Sequence, residues 1–160
     1  MVYCIHNIFI LFYSMEFTQS AALFLIPIAV GLITEGIKFI NYIRKYGWNI
    51  DYSIAYGHMP SAHTAYVVSL VTTMWIFEGY RSPTFAIALI MAIIVIMDAL
   101  RLRVYMGQQA HYINGIVKHL NLDEQLFAPL KERVGHKPKE VFIGAIFGVI
   151  LTLLFTAFFV

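Results

Sequence analysis

The chain has 160 residues, 60% of them hydrophobic and 12% charged, with a formal net charge of +2 and a mean hydropathy of +0.74. Those proportions exclude a water-soluble globular domain and a disordered chain, and they define an integral membrane protein. The single cysteine, Cys4, excludes an internal disulfide, and basic residues that flank apolar stretches without forming a recognition module give no support to nucleic-acid binding.

In chain order, residues 1–14 form an apolar leader too short to span a bilayer, followed by a second methionine, Met15. Either translation begins at Met15 or the leader is an interfacial helix; residues 15–160 then make a single membrane domain without linker or repeat. Three long apolar stretches follow at about 17–40, 83–100 and 140–160, each near the twenty residues that a spanning helix requires. A fourth, at about 62–79, is more polar, carrying Thr64, Ser69, Thr72 and Thr73, yet it is apolar enough to span when packed among other helices. The expected fold is therefore all-α: a bundle of about four transmembrane helices with a polar cap on one face, built from residues 41–60 and 101–138. Within that cap Ile113, Ile116, Val117 and Leu120 recur at helical spacing, which predicts an interfacial helix over Gln109–Leu120.

Four spans threaded in alternation bring their polar ends to the same face. Lys38 closes the first, Ser61 opens the second, Asp98–Arg103 closes the third and His136–Glu140 opens the last, while the opposite face has only the chain termini and the hairpin Glu78–Pro83. Ten of the eleven Lys and Arg residues fall on the crowded face and Arg81 alone lies opposite, so the positive-inside rule predicts that the crowded face is cytoplasmic.

The chemistry-bearing residues cluster at those ends. Ser61-Ala62-His63 opens a helix, where unpaired backbone N–H groups and the positive end of the helix dipole favour an anion, and where a hydroxyl and a titratable ring stand beside them. Glu35 and Lys38, three apart, share a helix face and can form an ion pair. Asp98 can pair with Arg101 or Arg103. His136 and Glu140 are four apart around Pro138, which suits a first helical turn; a carboxylate on one imidazole nitrogen fixes the ring and leaves the other nitrogen free as nucleophile or base. His58, His111 and His119 read as ordinary solvated imidazoles. A zinc site would require His63, His136 and one carboxylate to assemble from separate spans, and no HExxH helix is present, so no metal and no cofactor is expected.

Four ordered motifs resemble the divergent branch of the type 2 phosphatidic acid phosphatases, membrane proteins related to acid phosphatases and vanadium-dependent haloperoxidases. They are Lys38, GHMPSAHTA at 57–65, DALRLRVYMGQQA at 98–110 with Asn114 after it, and VGHKPKEVFIGAIFG at 134–148. For the wider superfamily the resemblance implies that Lys38, Ser61 and the N–H of Ala62 hold phosphoryl oxygens. It further implies that His63 protonates the leaving group and that His136, oriented by Glu140, attacks phosphorus. Glu140 replaces the usual aspartate. The usual Arg-Pro is replaced by Lys45-Tyr46, Leu130 stands where an arginine would precede the nucleophile, and Gly57-His58-Met59-Pro60 replaces Gly-Gly-Met-Pro. Arg103 is the candidate replacement cation, with Glu35, Asp98 and Gln109 as supporting positions.

The expected function is a membrane-embedded, metal-independent phosphatase that hydrolyses a lipid phosphate or polyprenyl pyrophosphate through a phosphohistidine. The rival expectation is a non-catalytic membrane protein that keeps the pocket to bind a lipid headgroup or a partner.

Overall fold

The computed structural model describes residues 2–48, 59–123, 125–132 and 134–158, with side chains from Ser20 onward except at Tyr46. Gly57 and His58, and with them residues 49–58 of the expected cap segment 41–60, lie outside the described residues. The described residues form helices and loops, with no strand among them. Helix α1 runs Val2–Tyr46, α2 Ala62–Glu78, α3 Pro83–Met97, α4 Arg103–His119 and α5 Pro138–Thr156; a π-helical turn, Asp98–Leu102, joins α3 to α4. The backbone of the leader is continuous with the first span.

Three of these stretches are long and apolar enough to cross a membrane: Ser20–Lys45, Pro83–His119 and Pro138–Thr156. Helix α2, with 17 residues, occupies the middle of the bundle and packs against α1, α3 and α5. That position explains its weak hydropathy. Ser69, Thr72 and Thr73 are buried against other helices, with Thr72 and Thr73 hydroxyls bonded to carbonyls one turn back, so none of them meets lipid.

The bundle is apolar outside and small or hydroxylic inside, as a bilayer demands. Phe24, Ile87, Ile90, Ile94 and Leu154 are exposed on the perimeter, whereas Ala88 and Ala92 are the buried positions of α3. Helices α2 and α5 run parallel and close. A Cβ on Gly144 would strike the backbone carbonyl of Ser61, and one on Gly148 that of Ala65. One turn further Thr152 Oγ1 lies 2.6 Å from both Ser69 Oγ and the Gly148 carbonyl. With one hydrogen to give, Thr152 donates to the carbonyl and accepts from Ser69. A second cluster, Ala22, Ile26, Val30 and Ala65, fixes α1 on α2, with Phe77, Leu151 and Phe155 packed around it.

The hairpin between α2 and α3 follows its sequence signals. Gly79 adopts φ +84 to end α2, while Ser82 Oγ accepts from the Phe85 N–H at 3.1 Å and Pro83 opens α3. The expected end of the third span at Asp98–Arg103 is different. The helix does not stop there, and what the periodicity predicts as a separate interfacial helix over Gln109–Leu120 is the continuation of α3 through the π turn to His119. Polarity marks where the apolar stretch ends, not where backbone hydrogen bonding ends. No proline or capping residue interrupts the chain before Asn121, whose φ of +51 closes α4.

Candidate functional site

The starts of α2 and α5 meet the π turn and the Lys38 turn of α1, and two backbone hydrogen bonds tie the first three together. The Ser61 N–H donates to the Glu140 carbonyl at 3.2 Å, joining the starts of α2 and α5, and the His136 N–H donates to the Ala99 carbonyl at 3.1 Å, joining the entry of α5 to the π turn. Lys38 reaches the same end of the bundle: the side chains of Arg103, Glu35, His136 and Lys38 all lie within electrostatic range of His63. His63 is exposed while Lys38 and His136 are buried.

His136 precedes its helix and does not belong to it. Lys137 is the N-cap and Pro138 the first helical residue, yet Glu140 still reaches back. His136 Nδ1 lies 3.0 Å from Glu140 Oε2, and the two side chains are only 7% and 13% exposed. The same oxygen accepts the Lys137 N–H at 3.1 Å. An acceptor-only carboxylate at Nδ1 requires that nitrogen to carry hydrogen, so in the neutral ring Nε2 holds the free lone pair.

Each expected cation has an internal carboxylate. Lys38 Nζ lies 2.9 Å and 3.2 Å from the two oxygens of Glu35, as the spacing of three predicts. Arg103 Nε donates to Asp98 Oδ2 at 2.8 Å across a spacing of five. In an α-helix residues five apart project roughly 140° apart. The wider π turn, whose bond runs from the Arg103 N–H to the Asp98 carbonyl, brings them onto one side.

Ser61 is fully buried, and its hydroxyl is engaged in capping. Oγ lies 2.9 Å from Thr64 Oγ1 and accepts the Thr64 N–H at 3.5 Å. The first-turn N–H groups of Ala62 and His63 are those that the α-helical pattern leaves without a partner. Gln109 is exposed on α4, and among the described residues its side chain has no hydrogen-bond partner. No group of three or more His, Cys, Asp or Glu among the described residues is placed to hold a metal ion.

The motifs that carry this geometry also carry the comparison with known proteins. The profile described as the divergent PAP2 family matches residues 19–151. The chain belongs to the divergent PAP2 family. An uncharacterized membrane protein of Bacillus subtilis (strain 168), YuiD, is 36% identical, over 80% of this chain and 87% of its own. No solved structure matches the chain.

Within this divergent PAP2 chain the loop that delivers His136 holds residues that sequence reading passes over. From Pro129 the described residues run back along α4 as a strap. Asn114 brackets Leu130, its Nδ2 donating to the Leu130 carbonyl at 2.8 Å and its Oδ1 accepting the Leu130 N–H at 2.9 Å. Asn114 Nδ2 also donates to Glu132 Oε1 at 2.9 Å, and His111 Nδ1 lies 2.8 Å from Glu132 Oε2. Hydrogen bonds from Asn114 first, then His111, hold the Glu132 carboxyl below the ordinary carboxylate range. His111, expected to be merely solvated, therefore has a specific partner. The sequence signal was a polar Asn114 on the helix face otherwise used by Gly107 and Ala110, both buried.

Proposed function

We propose that this protein is a membrane-embedded phosphatase that hydrolyses a lipid phosphate or polyprenyl pyrophosphate through a phosphohistidine. The observation that carries the reading is the largely buried His136–Glu140 pair at the mouth of an apolar bundle, beside His63 and two cations. His136 Nε2 attacks phosphorus, and the bond to the leaving oxygen breaks as His63 gives that oxygen its proton. Water then attacks the phosphohistidine, His63 takes back a proton, and the N–P bond breaks. Lys38, Arg103 and the N–H groups at the start of α2 neutralise charge on the equatorial oxygens, where phosphoryl-transfer catalysis chiefly acts. No step in this scheme requires a metal. Placement at the end of the apolar helices suits a substrate whose tail stays in lipid while its phosphate reaches the headgroup layer. The excess of Lys and Arg on this face supports a cytoplasmic site.

One observation favours a second reading. Lys38 and Arg103 are already neutralised by Glu35 and Asp98, which suits a site that binds a headgroup without turnover. The two readings separate with purified protein in detergent, assayed against phosphatidic acid and a polyprenyl pyrophosphate without added metal. The phosphatase reading expects turnover that vanadate inhibits, a bell-shaped pH profile, and loss of turnover in both His136→Ala and His63→Ala. Binding without turnover in the wild type supports the second reading, and a rate flat from about pH 5 to 9 counts against two histidines in these roles.

A further inference from the structure

We infer that Asn114, Glu132 and His111 form a clasp that positions His136 by holding the strap, described residues 129–132 and 134–136, against α4. The inference rests on the phosphatase reading for its effect on rate and on the geometry alone for its effect on the strap.

The strap is the last stretch of chain before His136, and apolar packing does little to fix it. Between the strap and α4 lies a cavity of about 440 Å3, lined by Gln108, His111, Tyr112, Glu132 and Val134 among others. What crosses from α4 to the strap is the hydrogen-bonded group itself. Asn114 makes both bonds to the backbone of Leu130 and a third to Glu132, and His111 makes the fourth. Both donors to Glu132 meet an ionised carboxylate, the stronger kind of hydrogen bond. At Gly107 the chains touch directly: a Cβ there would strike the Glu132 carbonyl.

At Gly135 and His136 the chain has little slack. Gly135 sits at φ +100, where a Cβ would lie 3.0 Å from the Val104 backbone nitrogen and 3.2 Å from Arg103 Cβ, and His136 then donates its N–H to Ala99. With the strap released at Asn114 and Glu132, the hydrogen bonds that still hold His136 among the described residues are that bond and the one to Glu140. A shift of about 1 Å in an attacking atom can lower a rate about a hundredfold. Lys38, Arg103 and the start of α2 are not attached through the strap, so substrate binding is spared while attack is not.

Hydrogen–deuterium exchange and steady-state kinetics on the full chain in detergent test this together. Asn114→Ala and Glu132→Ala are expected to speed amide exchange across 130–136 about tenfold or more, leave α2 and α5 unchanged, and lower kcat about tenfold to a hundredfold with KM within about twofold. Glu132→Gln keeps an acceptor for Asn114 and is expected to retain most of the rate and the protection, which also covers the case in which an alanine variant fails to fold. Exchange at 130–136 that stays as in the wild type in both Asn114→Ala and Glu132→Ala overturns the clasp. So does a Glu132→Gln variant as impaired as Glu132→Ala. A wild type without turnover sinks the phosphatase reading instead, and the exchange arm then decides the clasp by itself.

Discussion

Glu140 Oε2 receives both the Nδ1 hydrogen of His136 and the N–H of Lys137, so one oxygen orients the histidine and caps α5. The two roles separate in Glu140→Gln, which keeps the size and an acceptor but removes the charge that, in the proposed phosphatase, supports the imidazole as it attacks. Steady-state assays should show kcat lowered about a hundredfold or more, while unfolding in denaturant should move by no more than about 1 kcal/mol, the usual worth of a cap. Equal losses in both would mean that the carboxylate is only structural. The pairing was legible because a spacing of four across a helix start brings side chains together. The Asp98–Arg103 pairing was legible only as one of two options, since its spacing of five meets across a π turn and no pattern of polarity distinguishes that turn from an α-helix.

At the level of elements, the approach of α2 to α5 depends on residues without side chains at the contact. Gly148 cannot accept a methyl group without moving the Ala65 carbonyl, a backbone atom in the centre of the bundle. Gly148→Ala is therefore expected to destabilise the fold by about 1–3 kcal/mol in denaturant titration. Gly115→Ala on α4, where nothing lies within 4 Å, should be neutral or gain up to about 1 kcal/mol from helix propensity. Similar values for the two would remove close packing as the explanation. The hydroxyls of α2 explain why it was the least apolar span: Thr64, Thr72 and Thr73 bond within α2 and its cap, and Ser69 bonds Thr152 of α5, so its polarity is consumed inside the bundle and does not signal a loop.

For the whole molecule, the positive-inside reading makes a separate prediction. A cysteine placed at Arg81 in the α2–α3 hairpin, with Cys4 replaced by serine, should be labelled by a membrane-impermeant maleimide added to intact cells. Protection there, with labelling of a cysteine at Lys118, would turn the site outward. What the sequence by itself determined was set by local or one-dimensional physics. Apolar length and composition required a helical membrane protein, alternation of spans required that Lys38, Ser61, Arg103 and His136 share a face, and helical spacing paired His136 with Glu140 and Lys38 with Glu35. What only the tertiary structure decided depended on contacts between distant segments. The helix continues past Asp98 because its backbone bonds widen and do not break. Ser61 caps its own helix beneath Gly144. His111, Asn114 and Glu132 meet because the chain folds back along α4, across some twenty residues that no periodicity connects.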